Sequence, residues 1–495
     1  MTGVTSRDQK TRIPGMPRRE TIVTTEYRIE HDLLGDREVP ASAYWGVHTL
    51  RAVENFAITG RTIADAPELI NALAAIKQAA ARANRDLGLL DAARCEAISA
   101  ACDEIRAGKL HDQFVVDLIQ GGAGTSTNMN ANEVIANRAL EIMGHAKGEF
   151  RHLHPNEHVN MGQSTNDVYP TALKLAAWSG IHQLVGAMAG LRGAFAAKSA
   201  EFADVIKMGR TQLQDAVPMT LGQEFGTYAL MLSEDESRLT EAAQLILEIN
   251  MGATAIGTGI TAHPEYAARV RTHLADITGI PVITAPDLIE ATQDCGAFVQ
   301  VSGVLKRVAV KLSKTCNDLR LLSSGPRAGF NEINLPAKQA GSSIMPGKVN
   351  PVIPEVVNQV AFEVIGNDVT ISFAAEGGQL QLNAFEPVIF YSLFRSLAHL
   401  KAACETLEVN CVRGITANRD LLRATVENSI GIVTALNPYI GYANATEVAL
   451  EAHTTGASVY QLVLDKGLME KDDLDAVLQP EMLTKPQPFR PSHKH

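Results

Sequence analysis

Residues 341–351 read GSSIMPGKVNP and stand directly before a strongly helical pattern. Glycine and proline interrupt regular structure, so this stretch is expected to form a loop. The loop carries two hydroxyls, Ser342 and Ser343, together with the ammonium of Lys348 and the amide of Asn350. Such side chains beside free backbone N–H groups can hold an anion and move a proton next to it. The alternative is an ordinary serine-rich surface turn.

Three further polar clusters stand before helical patterns, and they read GGAGTSTNMN at 121–130, GQSTND at 162–167 and GRTQLQD at 209–215. We expect each cluster to end at a helix N-terminus, where unpaired N–H groups and partial positive charge favour a carboxylate. Taken singly, each cluster is more commonly an ordinary helix cap. Four of them in one chain predict a site for a small dianion, built from neutral donors and one lysine.

The overall pattern predicts a mainly α-helical chain. Aromatic residues make up only 5% of the sequence. Helical periodicity covers residues 69–118, 167–251 (with breaks near Gly209 and Pro218), 297–322 and 355–375. Several of these runs are apolar around most of their circumference, so they must be buried on more than one side. This favours an oligomeric bundle of long helices.

The chain divides by pattern into three regions. An expected disordered extension over residues 1–25 precedes an N-terminal region at 26–162, whose first part is richer in turns and short β-type runs. A central helical region follows at 163–420, and a region of shorter helices at 421–495. The extension has five basic residues, two prolines and no apolar core, so it is not a secretory signal. A transit peptide is the alternative, which the prolines weaken because they interrupt an amphipathic helix.

Charge and cysteine usage narrow the function classes. The formal net charge is −11, and no dense basic block predicts nucleic-acid binding. The six cysteines show no C-x-x-C spacing, so we expect reduced thiols in a cytoplasmic protein. No apolar stretch approaches the roughly 18 residues that span a membrane.

Histidines near residue 150 give the one pattern that could suggest a metal. His152, His154 and His158 follow an H-x-H-x-x-x-H spacing, with His145 upstream. Only Glu157 offers a nearby carboxylate, so a polar, solvated loop is the preferred interpretation. We therefore expect neither a metal nor a cofactor.

The four clusters, taken in order, resemble the signature regions of the fumarase/aspartase superfamily, whose loop signature is GSSxMPxKxNP. The resemblance extends from Tyr27 over most of the chain. Within the family it is nearest to the aspartases, through RIEHDLLG at 28–35, YWGVHTLR at 44–51 and ENF at 54–56. Residues 356–368 and 378–383 also resemble aspartases. Gln212 stands where fumarases and some aspartases carry a histidine.

This resemblance implies a three-domain fold around a central bundle of long helices, assembled as a homotetramer with shared active sites. The implied reaction is the reversible elimination of ammonia from L-aspartate to give fumarate, through an enediolate. Ser342 would be the general base. The implied substrate-binding residues are Thr125, Ser164, Thr165 and Ser343 for the β-carboxylate, Thr211, Lys348 and Asn350 for the α-carboxylate, Asn166 near the amino group, and Gln212. The alternatives are a class II fumarase and a non-catalytic protein on the same scaffold.

Overall fold

The computed structural model describes residues 26–486, and the expected disordered extension at 1–25 lies outside them. The described part is mainly α-helical, as predicted. Its helices are α1 (Val47–Asn55), α2 (Pro67–Asp86), α3 (Ala92–Arg106), α4 (Thr125–Ile142), α5 (Thr165–Glu201), α6 (Leu221–Leu245), α7 (Tyr266–Thr278), α8 (Glu290–Gln293), α9 (Gly296–Leu322), α10 (Val352–Glu376), α11 (Glu386–Asn410), α12 (Arg419–Glu427), α13 (Val433–Ile440), α14 (Tyr442–Thr455), α15 (Val459–Asp465), α16 (Lys471–Val477) and α17 (Pro480–Leu483). None of the described helices is both long and apolar enough to cross a membrane.

The strands form small two-stranded sheets. They are β1 (Tyr27–Asp32), β2 (Gly35–Pro40), β3 (Ile206–Thr211), β4 (Gln214–Thr220), β5 (Glu248–Ile249), β6 (Ile283–Thr284), β7 (Ile333–Asn334) and β8 (Thr416–Ala417). The pairs β1–β2, β3–β4 and β7–β8 are antiparallel, and β5–β6 is parallel.

The five longest helices form the centre of the molecule. The 37-residue helix α5 packs against α6 and α11, while α10 packs between α9 and α11. Leu173, Leu184 and Leu191 of α5 are completely buried in the main hydrophobic core. A long helix of this kind keeps its position because tertiary packing, more than intrinsic propensity, stabilises it. The predicted central bundle is confirmed.

One face of α10 is not covered by any part of residues 26–486. Phe362, Val369 and Phe373 are 63%, 52% and 72% exposed. Spacings of seven and four residues bring these side chains onto one stripe of the helix. Exposed aromatic and branched side chains in such a row are typical of a surface that another helix covers.

Two sequence-based helix assignments need correction. The helical pattern at 69–118 ends at Arg106, and residues with positive φ follow it at Gly108 (+89°) and Leu110 (+62°). The two breaks expected near Gly209 and Pro218 are parts of one β3–β4 hairpin, which lies between α5 and α6, so there is no helix between them. The third polar cluster therefore lies on a hairpin, and not at a helix N-terminus.

The shorter helices that follow residue 418 agree with the predicted change in character. They enclose a second hydrophobic core, which includes Leu436, Val448, Val463 and Leu474. Met208 of β3 is buried in the same core, so the hairpin root is held by the C-terminal helices. The boundaries proposed for the three regions stay predictions.

Buried Glu386 predicts a specific pH dependence of stability. Burial raises the pKa of this carboxyl to about 8, and the charge of Lys174 on α5 opposes the rise. Between the unfolded and folded pKa values the unfolded chain binds fewer protons, so stability falls as pH rises, by at most about 1.4 kcal/mol per pH unit. We expect the stability of the Glu386→Gln variant not to fall in this way as the pH rises.

The measurement is the midpoint of thermal unfolding for both proteins from pH 5 to pH 7, at one protein concentration. Burial lowers the pKa of Lys174. Stability rises with pH when a lysine of this kind loses its proton, which would offset the effect of Glu386, so the measurement stops at pH 7. Parallel pH profiles for the wild type and Glu386→Gln would contradict the prediction.

Candidate functional site

The start of α5 is a well-formed helix cap. The Ser164 hydroxyl accepts a hydrogen bond from Asn166 N (3.2 Å), and the Asp167 carboxylate accepts one from Ser164 N (3.0 Å). This reciprocal arrangement is a capping box. Thr165 is 9% exposed and Asn166 is half-buried, so both lie at the rim of the helix end. The helix N-terminus predicted for the second cluster is confirmed.

The start of α4 lies against the start of α5. Thr125 is the first residue of α4, and its hydroxyl donates to Gly122 O (2.7 Å). One turn later, Asn128 donates from Nδ2 to Thr165 Oγ1 (3.2 Å). The structure thus brings Thr125, Ser164, Thr165 and Asn166 to two neighbouring helix N-termini, which we call the helix-start group.

A buried lysine beneath this group was not identified from the sequence. Lys77 Nζ donates to Asn128 Oδ1 (2.7 Å), Asn160 Oδ1 (2.9 Å) and Gln163 Oε1 (2.9 Å). Burial lowers the pKa of Lys77 to about 7, and the charge of Asp167 opposes this. The ammonium therefore orients the amides that support Thr165. The sequence signal was a lone lysine in the alanine-rich helix α2.

Asn250 is a second residue that the sequence did not single out. Pro170 lies inside α5 and has no N–H, so the carbonyl of Asn166, four residues earlier, lacks its usual helical donor. Asn250 Nδ2 donates to that carbonyl (2.9 Å). The Asn166 side chain donates to Ala255 O (2.6 Å). Asn166 is therefore fixed through both its backbone and its side chain.

The loop of residues 341–350, called the serine loop below, is closed at its neck. Gly341 N donates to Lys348 O (2.7 Å), and Asn350 Nδ2 donates to Gly341 O (2.7 Å). A Cβ on Gly341 would lie 2.6 Å from Lys348 O and 2.7 Å from Asn350 N. Only glycine fits there without a shift of the backbone.

Inside the serine loop, two backbone N–H groups point at one hydroxyl. Ser342 Oγ accepts hydrogen bonds from Ile344 N (3.2 Å) and Met345 N (2.9 Å). Donors of this kind stabilise a negatively charged oxygen. Ser342 is half-buried, whereas Ser343 and Lys348 are exposed.

A cavity of about 720 Å³ opens beside the serine loop. Its lining includes Lys348 and Asn350 together with the polar side chains of Ser323, Ser324 and Asn331. The cavity has room for a small dicarboxylate, and its lining adds the charged side chains of Arg320 and Glu355 to Lys348 and these neutral groups.

Thr211 and Gln212 lie on the tip of the β3–β4 hairpin. Thr211 pairs with Gln214, so Gln212 and Leu213 form a two-residue turn with φ values of +54° and +64°. Positive φ at both turn residues is the type I′ geometry that suits the twist of a hairpin. Both side chains are exposed, and they project from the protein.

The predicted site residues therefore form three groups: the helix-start group, the hairpin tip and the serine loop. Among residues 26–486, no hydrogen bond or ion pair joins Ser342, Lys348 or Asn350 to the helix-start group. The hairpin and the root of the serine loop are linked, because Arg210, directly before Thr211 in β3, pairs with Glu332.

The histidines near residue 150 have varied surroundings. His154 Nδ1 accepts from Asn156 N (3.0 Å), and His158 Nδ1 accepts from His154 N (2.8 Å). His145 and His152 stack with their ring centroids 3.8 Å apart. Glu149, and not the Glu157 that the sequence spacing indicated, lies close enough for these three residues to form a possible metal-ligand set. Arg151 Nε already donates to His152 Nε2 (3.0 Å), and this positive charge disfavours a cation. The absence of a metal stays a prediction.

Comparison with known families agrees with this architecture. A family model described as "Lyase" matches residues 35–366, and one described as "Fumarase C C-terminus" matches residues 432–485. A crystal structure of fumarate lyase:delta crystallin from Brucella melitensis bound to cobalt is 54% identical with a TM-score of 0.91, and the match covers 93% of this chain and all of that one. The chain belongs to the fumarase/aspartase superfamily of lyases.

Two relatives that are more than half identical to this chain share one name. Aspartate ammonia-lyase of Helicobacter pylori (strain J99) is 59% identical over 467 residues, which are 94% of this chain and 100% of the relative. Aspartate ammonia-lyase of Escherichia coli (strain K12) is 56% identical over 94% of this chain and 97% of its own length. A class II fumarase from Schistosoma mansoni is more distant, at 33% identity and a TM-score of 0.87, over 92% of this chain and 98% of that chain.

Proposed function

We propose that this chain is an aspartate ammonia-lyase, which reversibly converts L-aspartate into fumarate and ammonia. The observation that carries the proposal is the serine loop, which also contains Lys348 and in which Ser342 Oγ accepts hydrogen bonds from two backbone N–H groups. The similarity to aspartate ammonia-lyases over almost the whole chain supports the same function.

The difficult step is the removal of a proton from the carbon beside the β-carboxylate. The electron pair of the broken C–H bond moves into that carboxylate and gives a doubly charged enediolate. The C–N bond then breaks, the double bond of fumarate forms and ammonia leaves. Preorganised donors aimed at the developing charge contribute roughly 3 kcal/mol each.

The residue roles follow this charge distribution. Thr125, Ser164, Thr165 and Ser343 bind the β-carboxylate, and Thr211, Lys348 and Asn350 bind the α-carboxylate. Asn166 and Gln212 bind near the amino group. Gln212 donates hydrogen bonds but does not titrate, so it is not an acid.

Ser342 is the general base. A hydroxyl serves this purpose only when its oxyanion is stabilised, and the N–H groups of Ile344 and Met345 supply two hydrogen bonds to it. Gly341 and Gly347 flank the loop and provide hinge positions for closure over the substrate. Closure excludes water and strengthens the hydrogen bonds to the charged intermediate.

The proposed assembly is a homotetramer with active sites shared between chains. The exposed stripe of Phe362, Val369 and Phe373 on α10 supports it, because a second copy would cover these side chains. The separation of the serine loop from the helix-start group within one chain supports shared sites. The six cysteines, all free and buried, suit the reducing cytoplasm, where we place the enzyme without a metal, a cofactor, or a nucleic-acid or membrane partner.

The test is the absorbance of fumarate, followed from L-aspartate and separately from L-malate. We expect fumarate from aspartate and none from malate. Fumarate from malate alone would assign the chain to the fumarases. No product from either substrate would favour the non-catalytic alternative.

A further inference from the structure

A buried charge cluster joins the roots of two segments that carry proposed site residues. Lys207 of β3 lies with its Nζ 2.6 Å from Glu224 Oε2 and 2.8 Å from Glu332 Oε2. Arg210, at the top of the same strand, pairs with the other oxygen of Glu332. The side chains of Lys207 and Glu332 are 2% and 4% exposed, so the central pair of the cluster is shielded from solvent, while Arg210 and Glu224 are partly exposed at 18% and 22%.

Glu332 is held in place from several directions. Its backbone N–H donates to Leu322 O (2.9 Å), and its carbonyl accepts from Asn418 N (3.0 Å). It directly precedes β7, which pairs with β8, and the chain then continues into the serine loop. The Glu332 backbone therefore belongs to the fixed root from which that loop leaves.

Arg210 lies next to the hairpin tip. It directly precedes Thr211 in β3, and its guanidinium stacks over the Phe330 ring at 4.3 Å. Arg210 thus contacts both Glu332 and the residue two positions before it. A change in this pairing would alter the direction of the strand end that presents Thr211 and Gln212.

We propose that Glu332 is a positioning residue, which fixes the hairpin tip and the root of the serine loop relative to each other through Arg210 and Lys207. It touches no substrate itself. This inference rests on the proposed lyase function, since it assigns meaning to the placement of Thr211, Gln212 and the serine loop. If these segments serve sites formed with different chains, the cluster mechanically links two sites of the assembly.

Glu224 provides a matched control within the same cluster. It contacts Lys207 as Glu332 does, but it lies on α6 and has no contact with Arg210 or with the serine-loop root. Burial raises the pKa of Glu224, the charge of Lys207 opposes this, and the charge of Glu332 adds to the rise. Glu224→Gln and Glu332→Gln each remove one carboxylate from the same lysine.

The experiment compares these two variants of the full chain with the wild type. We expect both to lower the midpoint of thermal unfolding, because each disturbs a buried ion pair. Only Glu332→Gln should lower kcat/KM for aspartate, by at least tenfold, while Glu224→Gln stays within threefold. A second readout is cleavage of the chain by trypsin after Lys348 at increasing fumarate concentrations. The concentration that halves this cleavage should rise at least fivefold in Glu332→Gln and in no other of these proteins.

Arg210→Lys covers the case in which Glu332→Gln does not fold. Lysine keeps the positive charge but has no planar guanidinium to stack on Phe330 and to pair with Glu332. The same loss of kcat/KM is therefore expected. Equal kinetic losses in the Glu332 and Glu224 variants, with a wild type that forms fumarate, would overturn the positioning role alone. A wild type that forms no fumarate would overturn the proposed function, and this inference with it.

Discussion

Ser342→Ala is expected to lower kcat for the formation of fumarate from aspartate by at least about 10³-fold, near the upper part of the range for a general base. The variant removes the one oxygen that accepts hydrogen bonds from both Ile344 N and Met345 N. The serine loop should keep its shape, because its neck is closed by Gly341, Lys348 and Asn350. Thermal stability should therefore change little.

Ser343→Ala is the matched comparison, since it makes the same chemical change one residue away. Ser343 is exposed and is assigned to carboxylate binding, so its loss should lower kcat/KM by about 100- to 1000-fold. Exchange of the C3 hydrogen of aspartate with solvent tests the base directly, because Ser342 is the residue assigned to remove that proton. If Ser342→Ala keeps this exchange at more than a tenth of the wild-type rate, the assignment of the base is wrong.

The sequence could predict the serine loop and the starts of α4 and α5 because their signals are local. Gly341 and Pro351 bound the loop, and Ser164 with Asp167 forms a cap within four consecutive residues. The long helices were also predictable, since periodicity over 25 residues or more is a strong signal.

The hairpin under Gln212 was not predictable in the same way. Its turn residues are Gln212 and Leu213, and neither belongs to the Asn-Gly or Asp-Gly pairs that mark a type I′ turn. The turn forms because the flanking strands are fixed, β3 by its buried Met208 and β4 by its pairing with β3. Tertiary packing decides the local conformation here.

The sequence also could not predict which distant residues hold the site residues in place. Lys77 meets Asn128 and Gln163 across 51 and 86 positions of chain, and Asn250 meets Asn166 across 84. Single-sequence patterns contain no record of such contacts. The roles given to the individual site residues stay predictions for the same reason: among residues 26–486, no hydrogen bond or ion pair joins Ser342, Lys348 or Asn350 to the helix-start group.

Lys77→Met is expected to damage the proposed site without touching the substrate. The variant keeps a side chain of similar length but leaves the amide oxygens of Asn128 and Gln163 without the Lys77 donor. Asn160 Oδ1 also loses Lys77 and keeps only the longer hydrogen bonds from Asn128 Nδ2 and Asn132 Nδ2, both 3.2 Å. Buried acceptors without a partner cost about 1–3 kcal/mol each, so the midpoint of thermal unfolding should fall. Asn128 then no longer holds Thr165 in one orientation, and kcat/KM for aspartate should fall at least about 100-fold.

Lys198→Met separates the loss of site geometry from the loss of stability. Lys198 is also buried, at 8% exposure, and donates to Ile415 O (2.8 Å) near the opposite end of α5. At about 1.5 Å per residue it lies roughly 50 Å along the helix from Thr165. Its replacement should lower the unfolding midpoint comparably while the folded enzyme keeps its kcat/KM. Equal kinetic losses in the two variants would mean that Lys77 acts only through stability, and that the amides around Thr165 hold their places without it.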